Sequence, residues 1–311
     1  MKRKRYIPLL CVLVMIFVFS SCTDERASAV LHEDSHVYAI AYSDQLCEIR
    51  TRSKQGFVYD VNNDCFVFSK GENKVVYPGS TSKLITALYA LSMLDPESVV
   101  TAGDELNFVK SGSSLAYIRL GHQLTVEMLV QGMMLPSGND AAYVLAAAVG
   151  REIKGNDISG AEAIDAFIEG ANRYIKDLGL CGTSVAVPDG YADETHYTTT
   201  EDMALVAKAA MENPIIAKYV GMHSADVRYA SGQINTWTNT NKLLDPDSKY
   251  YSPYAIGLKT GSISGEYSLI FAFRFDDGRE YIAGVFGGDN KNTRFEDANK
   301  IINYLKGYGE A

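Results

Sequence analysis

A serine hydroxyl is inert toward a peptide carbonyl near neutral pH until a base takes its proton, and a lysine amine stripped of water can be that base. The string Tyr77-Pro78-Gly79-Ser80-Thr81-Ser82-Lys83 offers the pair, with Ser80 and Lys83 three residues apart and so on one face of a helix starting there. The first turn of that helix also directs backbone N–H groups and a positive partial charge to where an oxyanion forms. Taken alone, Ser-Thr-Ser before a Leu/Ala-rich run reads equally well as a helix cap. Two further strings change its standing. Ser137-Gly138-Asn139 sets a second hydroxyl and an amide at a turn leading into a helix, and Lys259-Thr260-Gly261 sets a cation at the end of a strand. Each string has a structural use by itself, but together they supply the parts of a serine acyl-transfer site: a nucleophile, a base, a second hydroxyl and an anion-binding cation.

Strands and helices must both be present to hold these groups. Residues 56–61 and 65–69 alternate or run apolar at strand length, with Asn62-Asn63-Asp64 as the turn of a hairpin, and residues 37–42 read as a strand before them. Residues 80–94, apolar on more than one face, predict a buried helix. Helical spacing recurs over 124–134, 139–149, 160–178 and 200–210. The period then changes to short strands over 255–259, 268–275 and 280–287, with Asp276-Asp277-Gly278-Arg279 as a hairpin turn. Residues 293–307 close the chain as a helix with Phe295, Ala298, Ile301, Ile302 and Leu305 on one face. The expected fold is α/β, more narrowly α+β: an antiparallel sheet from both chain ends with an inserted, mostly helical lobe. A catalytic domain of two lobes over 37–311 follows, with the site in the cleft between them.

The chain resembles the serine D-alanyl-D-alanine carboxypeptidases of the low-molecular-mass penicillin-binding proteins, whose fold is β-lactamase/transpeptidase-like. The likeness runs from about residue 37 to 307. It includes Gly103-Asp104-Glu105-Leu106, Ser113-Ser114-Leu115, Asn139-Asp140-Ala141-Ala142, His196-Tyr197-Thr198-Thr199 and Asn239-Thr240-Asn241-Lys242 besides the three motifs. The resemblance implies that Ser80 attacks the carbonyl of the penultimate D-Ala of a peptidoglycan stem peptide and that Lys83 accepts its proton. It further implies that Ser137 relays a proton to the leaving nitrogen and that Asn139 holds Lys83 or the substrate amide. Lys259 and Thr260 are implied to bind the terminal carboxylate. Gly261 is expected to let substrate backbone approach the strand, and the N–H groups of Ser80 and Ser262 to form the oxyanion hole. β-Lactam antibiotics are implied to acylate Ser80 and leave slowly. Two stretches depart from the family pattern. Ser262-Ile263-Ser264-Gly265-Glu266 follows the Lys-Thr-Gly, and Val187-Pro188-Asp189-Gly190-Tyr191 stands where the family has Asn-Pro-x-Gly-Leu.

Composition and the N-terminus place the chain. With 311 residues, 47% of them hydrophobic and 22% charged, it has ordinary globular composition, which excludes a disordered or collagen-like chain. Lys2, Arg3, Lys4 and Arg5 precede an apolar run over 7–19 and Ser20-Ser21-Cys22, the layout of a secretory signal over 1–21. The run is shorter than the roughly 18 to 20 residues a spanning helix needs. Phe19-Ser20-Ser21-Cys22 resembles the lipobox of bacterial lipoproteins, which implies lipidation of Cys22, a tether over 22–36 and an extracytoplasmic protein anchored to the cell membrane. Many family members append a β-rich domain and an amphipathic C-terminal anchor. Neither fits before Ala311, and the lipid is the expected substitute. The formal charge of −9 becomes −13 once the four basic residues of the signal are removed, which argues against a nucleic-acid partner. Cys47, Cys65 and Cys181 remain. Cys47 and Cys65 could pair across neighbouring strands, or all three could be buried free thiols. No zinc-like spacing of Cys and His occurs, so no metal or cofactor is implied. The five histidines are expected on the surface or satisfied in the core.

Three alternatives share these motifs. A class A-like β-lactamase needs a Glu-x-x-Leu-Asn loop, and no such string lies between Asn139 and Lys259. A D,D-endopeptidase differs in cleft width more than in catalytic residues. A non-catalytic lipoprotein that binds stem peptides or β-lactams has no need of the full set Ser80, Lys83, Ser137, Asn139 and Lys259.

Overall fold

A computed structural model describes residues 41–43, 46–71 and 74–308. The signal over 1–21, Cys22, the tether over 22–36 and residues 37–40 of the first expected strand lie outside the described residues.

The N-terminal hairpin forms as expected, as β1 (Gln55–Asp60) and β2 (Cys65–Lys70). Its turn is held by the Asp60 carboxylate, which accepts the N–H groups of Asn62 and Asn63, and Asp64 takes the left-handed conformation at φ 54° that Asp tolerates better than most residues. From the middle of the chain come α1 (Lys83–Met93), β3 (Val99–Thr101), β4 (Gln123–Thr125), α2 (Val126–Met134), α3 (Asn139–Lys154), α4 (Gly160–Asp177), α5 (Thr200–Glu212), α6 (Pro214–Val220), β5 (Ser224–Arg228) and β6 (Ile234–Thr238). The C-terminal third supplies β7 (Ala255–Ile263), β8 (Glu266–Arg274), β9 (Glu280–Gly288) and α7 (Thr293–Tyr308).

The main sheet is antiparallel in the order β2-β1-β9-β8-β7, so both chain ends build it and β7 is an edge. Period-two alternation divides its side chains between two cores. Leu269, Phe271 and Phe273 of β8 pack with Phe295, Ala298, Ile301, Ile302 and Leu305 of α7, whereas Ile270 and Ala272 face the helical layer with Leu84, Leu88, Phe167 and Met203. Each fully buried Leu, Ile or Phe contributes roughly 1.5–3 kcal/mol here.

Several expectations are corrected. The helix expected over 80–94 is a 3-10 turn, Gly79–Ser82, running into α1, so Ser80 stands on the tight turn and not in the α-helix. Residues 124 and 125, expected as the start of a helix, instead pair with Val99–Thr101 as part of β4, and Thr125 then caps α2 by accepting the N–H of Met128. The Lys-Thr-Gly string lies inside β7, which continues four residues past Lys259, and not at a strand end. The pair β5 and β6 and the short α6 were not foreseen. The Asn213-Pro214 start signal of α6 is present, with the Asn213 side chain accepting two N–H groups, but seven residues carry too little periodicity to stand out. Cys47, Cys65 and Cys181 are all free, and Cys181 is exposed and Cys65 half-buried where burial was expected. Cys47 sits in the core between sheet and α7, its N–H bonded to Val67 of β2.

Candidate active site

Gly79 begins the turn that presents Ser80. It has φ 54°, and a Cβ there would stand 3.0 Å from the Ser262 nitrogen of β7. Gly261 serves the same contact from the other side, since a Cβ on it would meet the Pro78 carbonyl oxygen at 2.5 Å. The glycine of Lys-Thr-Gly therefore admits the nucleophile turn of this chain, a reason different from the substrate approach expected of it. Ser80 and the edge strand are locked together by backbone packing.

Lys83 follows one turn on and is fully buried. Its Nζ donates to Ser80 Oγ at 2.8 Å, to Asn139 Oδ1 at 2.8 Å and to the backbone oxygen of Asp189 at 2.6 Å. Burial pulls the amine down to about 8, against the opposing pull of the Asp189 and Asp140 carboxylates. When neutral, Nζ keeps two donors for Asn139 and Asp189 and turns its lone pair to the Ser80 hydroxyl.

The second motif is held by the start of α3. Asn139 accepts from Lys83 with its oxygen and donates to Ser113 Oγ at 2.9 Å with its nitrogen, which fixes the amide orientation. Asp140 is buried and accepts the N–H groups of Ala116, Ile118 and Ala141, tying the 113–118 segment to α3. Ser137 is buried on the preceding turn at φ 62°, and its hydroxyl is not hydrogen-bonded to Ser80, Lys83 or Lys259.

The third motif faces them from β7. Lys259 is fully buried, its Nζ bonded among the described residues only to its neighbour's carbonyl, Thr260 O at 3.2 Å. Burial, then the cations of Lys83 and Arg294, hold this amine well below the usual lysine range. Thr260 Oγ1 and Thr240 Oγ1 share a hydrogen bond of 2.6 Å, and the Thr240 N–H reaches Leu135 O, joining β7 to the turn of Ser137. Arg294, from the first turn of α7, donates to Gly261 O at 2.7 Å and Ser262 Oγ at 3.2 Å, and burial lowers it to about 10. Among the described residues no carboxylate forms an ion pair with Lys83, Lys259 or Arg294, so the site is a buried cationic pocket suited to an anion. Beyond Ser262 it opens on a groove of about 550 Å³ whose lining includes Tyr77, Asp193, Glu194, Ile263, Ser264 and Glu266.

Reading the sequence missed the Asp189 carbonyl, Ser113, Thr240 and Arg294. Ser113 and Thr240 lie in segments already marked by the resemblance. Arg294 had no signal, because its role depends on α7 packing beside β7. The His196 ring is a satisfied core histidine. Its Nδ1 accepts the Ala186 N–H, so the proton is on Nε2 and is donated to Ser82 Oγ at 2.8 Å, which in turn donates to Gly79 O.

Burial, with Lys83 adding and Asp193 opposing, lowers the His196 pKa to about 4. A histidine lowered in the folded state gives its full stability above the unfolded value near 6.5 and loses it as pH falls toward about 4. The loss across that window should reach about 3 kcal/mol. Thermal midpoints of wild type and His196→Gln across the window check this, the variant showing the flatter profile.

The sequence profile of the D-alanyl-D-alanine carboxypeptidase family matches residues 42–290. The chain is 31% identical to a D-alanyl-D-alanine carboxypeptidase of Streptomyces sp. (strain K15) over 259 residues, which are 80% of this chain and 85% of that one. It is 26% identical to D-alanyl-D-alanine carboxypeptidase DacF of Bacillus subtilis over 83% of this chain, a match that spans only 63% of the Bacillus protein. The crystal structure of the Streptomyces K15 DD-transpeptidase superposes with a TM-score of 0.74 at 30% identity, covering 83% of this chain and 98% of that one.

Proposed function

Because the chain belongs to the D-alanyl-D-alanine carboxypeptidase family, we propose that it removes the terminal D-Ala from peptidoglycan stem peptides through an acyl-enzyme on Ser80. The observation that carries the reading is the desolvated Lys83 amine hydrogen-bonded to the Ser80 hydroxyl. In this scheme Ser80 Oγ attacks the carbonyl carbon of the penultimate D-Ala and its proton passes to Lys83 Nζ. The N–H groups of Ser80 and Ser262 receive the oxyanion. The C–N bond then breaks as Ser137 gives its proton to the leaving nitrogen and is reprotonated from the Lys83 ammonium, which returns the amine to its neutral form. Lys259 and Thr260 hold the terminal carboxylate, with Arg294 adding to the field. Water then attacks the ester, losing a proton to Lys83, which returns it to Ser80 Oγ as the ester C–O bond breaks. Asn139 and the Asp189 carbonyl keep Nζ aimed through both halves. A β-lactam enters the first half and stalls before the second.

The signal over 1–21 and the lipid on Cys22 belong to the same proposal and place the reaction outside the cytoplasmic membrane, on the cell wall. Among the described residues no helix is long and apolar enough to cross a membrane. The Streptomyces relative bears both names, carboxypeptidase and DD-transpeptidase. The acyl-enzyme is common to both reactions, and products formed with an added amine separate transfer from hydrolysis.

The test is intact-mass spectrometry of a fragment beginning at Thr23, followed over time with a penicillin, with digestion to locate any adduct and an assay of D-Ala release. A single lasting adduct on the peptide holding Ser80, with D-Ala set free from a stem peptide, is expected. Rapid loss of drug without an adduct indicates a β-lactamase, and no reaction leaves a binding lipoprotein.

A further inference from the structure

The scheme above has no use for the carboxylate of Asp189. That group is fully buried; its Oδ1 accepts the Tyr191 N–H at 3.0 Å, and its Oδ2 has no hydrogen-bond partner. Two other buried aspartates are well partnered: Asp140 accepts three backbone N–H groups, and Asp297 accepts the N–H groups of Arg52 and Ser53 and the Ser53 hydroxyl. A carboxylate left open in the interior is costly unless a charge of opposite sign offsets it. The loop cannot turn it out to water. Thr86 holds the Pro188 carbonyl at 2.7 Å, and Gly190 lies so close to Gly79 that a Cβ would stand 2.0 Å from the Gly79 oxygen. The same residue's backbone oxygen receives the Lys83 ammonium at 2.6 Å.

We propose that the Asp189 carboxylate is the internal counter-ion of Lys83, a positioning residue that keeps the resting amine protonated and so sets the pH at which Ser80 becomes reactive. The proposal rests on the reading of Ser80 as nucleophile and Lys83 as base. The other groups that face Lys83 do not take this part. Asp140 on α3 spreads its charge over three N–H donors. Lys259 on β7 carries the same sign as Lys83, and His196 is held neutral by burial. The Tyr143 phenol on α3 is held protonated by burial and then by Asp189 itself.

Asp189→Asn and Asp189→Ala test it. One negative charge removed from beyond ion-pair distance in protein interior lowers an amine pKa by about one unit. The base must be neutral to act, so the acidic limb of acylation by a penicillin, near pH 8 in wild type, should move down by about one unit in both variants. Well below the limb they should acylate about tenfold faster than wild type. Asp189→Glu, which keeps the charge, should return the limb toward its wild-type position. A purely structural role would lower the plateau and leave the midpoint in place, and that result overturns the proposal. Should neither neutral variant fold, wild-type protein labelled with 13Cγ-aspartate decides. An aspartate resonance in the carboxylate range must inflect at the acylation limb, and its absence is equally fatal. A wild type that forms no adduct on Ser80 would refute the acyl-enzyme reading itself, whereas an adduct with an unmoved limb refutes only the counter-ion.

Discussion

Alanine at position 80 should leave the folded protein with no penicilloyl adduct at any time, and alanine at position 83 should slow adduct formation by about three orders of magnitude, the middle of the range for loss of a general base. The two outcomes differ for a physical reason. Without Ser80 the hydroxyl that touches the Lys83 amine is gone, and the ester does not form. Without Lys83 the hydroxyl is still present and still faces the edge of β7, but its proton has no acceptor at 2.8 Å. Lys83→Arg should do no better than alanine, since a guanidinium does not deprotonate in this range. Time courses of intact mass at fixed drug concentration read all three. A Lys83→Ala protein that acylates at near wild-type rate would remove lysine from the mechanism.

Gly190→Ala should be the most damaging single methyl group near the site. Its residue has φ 76°, and the added Cβ would lie 2.0 Å from Gly79 O and 2.6 Å from Ser82 Oγ. A left-handed non-glycine residue costs about 1–2 kcal/mol and overpacking adds about 1–3 kcal/mol, so a loss of roughly 2–5 kcal/mol in unfolding free energy is expected. Acylation should fall as well, because the loop must retreat and carry the Asp189 carbonyl off Lys83. Gly232→Ala is the control. It shares the positive φ, at 96°, but faces open space, and should cost only the conformational part. Urea unfolding and the acylation rate, measured together, check both. Equal losses in the two variants would mean that the contact with Gly79 is slack.

How much was readable in advance follows from range. Elements with a steady period or a clear turn signal were legible: β1 and β2 around their Asn-Asn-Asp turn, the strands β7 to β9, and the apolar face of α7, all of whose five named residues are buried. The seven-residue α6 and the five-residue β5 and β6 were not, because their local patterns do not rise above chance and tertiary packing decides them. The family and its catalytic residue types were legible for another reason. A nucleophile, a base and a carboxylate-binding cation are chemical necessities, and they occur as short contiguous strings around Ser80, Ser137 and Lys259.

The amino-acid order by itself thus determined which side chains are present to react and which face of each long element turns inward. Only the tertiary structure decided what those side chains meet. The oxygen that holds Lys83 beside Asn139 is a main-chain carbonyl, 106 residues away, whose residue type carries no signal. Arg294 reaches Gly261 only because α7 covers the sheet next to β7, and the reason for Gly261 is the Pro78 carbonyl of its own chain. Backbone groups are the same in every residue, so their use in a site is fixed by where chain segments cross. Desolvation is likewise a property of the closed core: a lysine becomes a base at position 83 because the fold shuts water out around it.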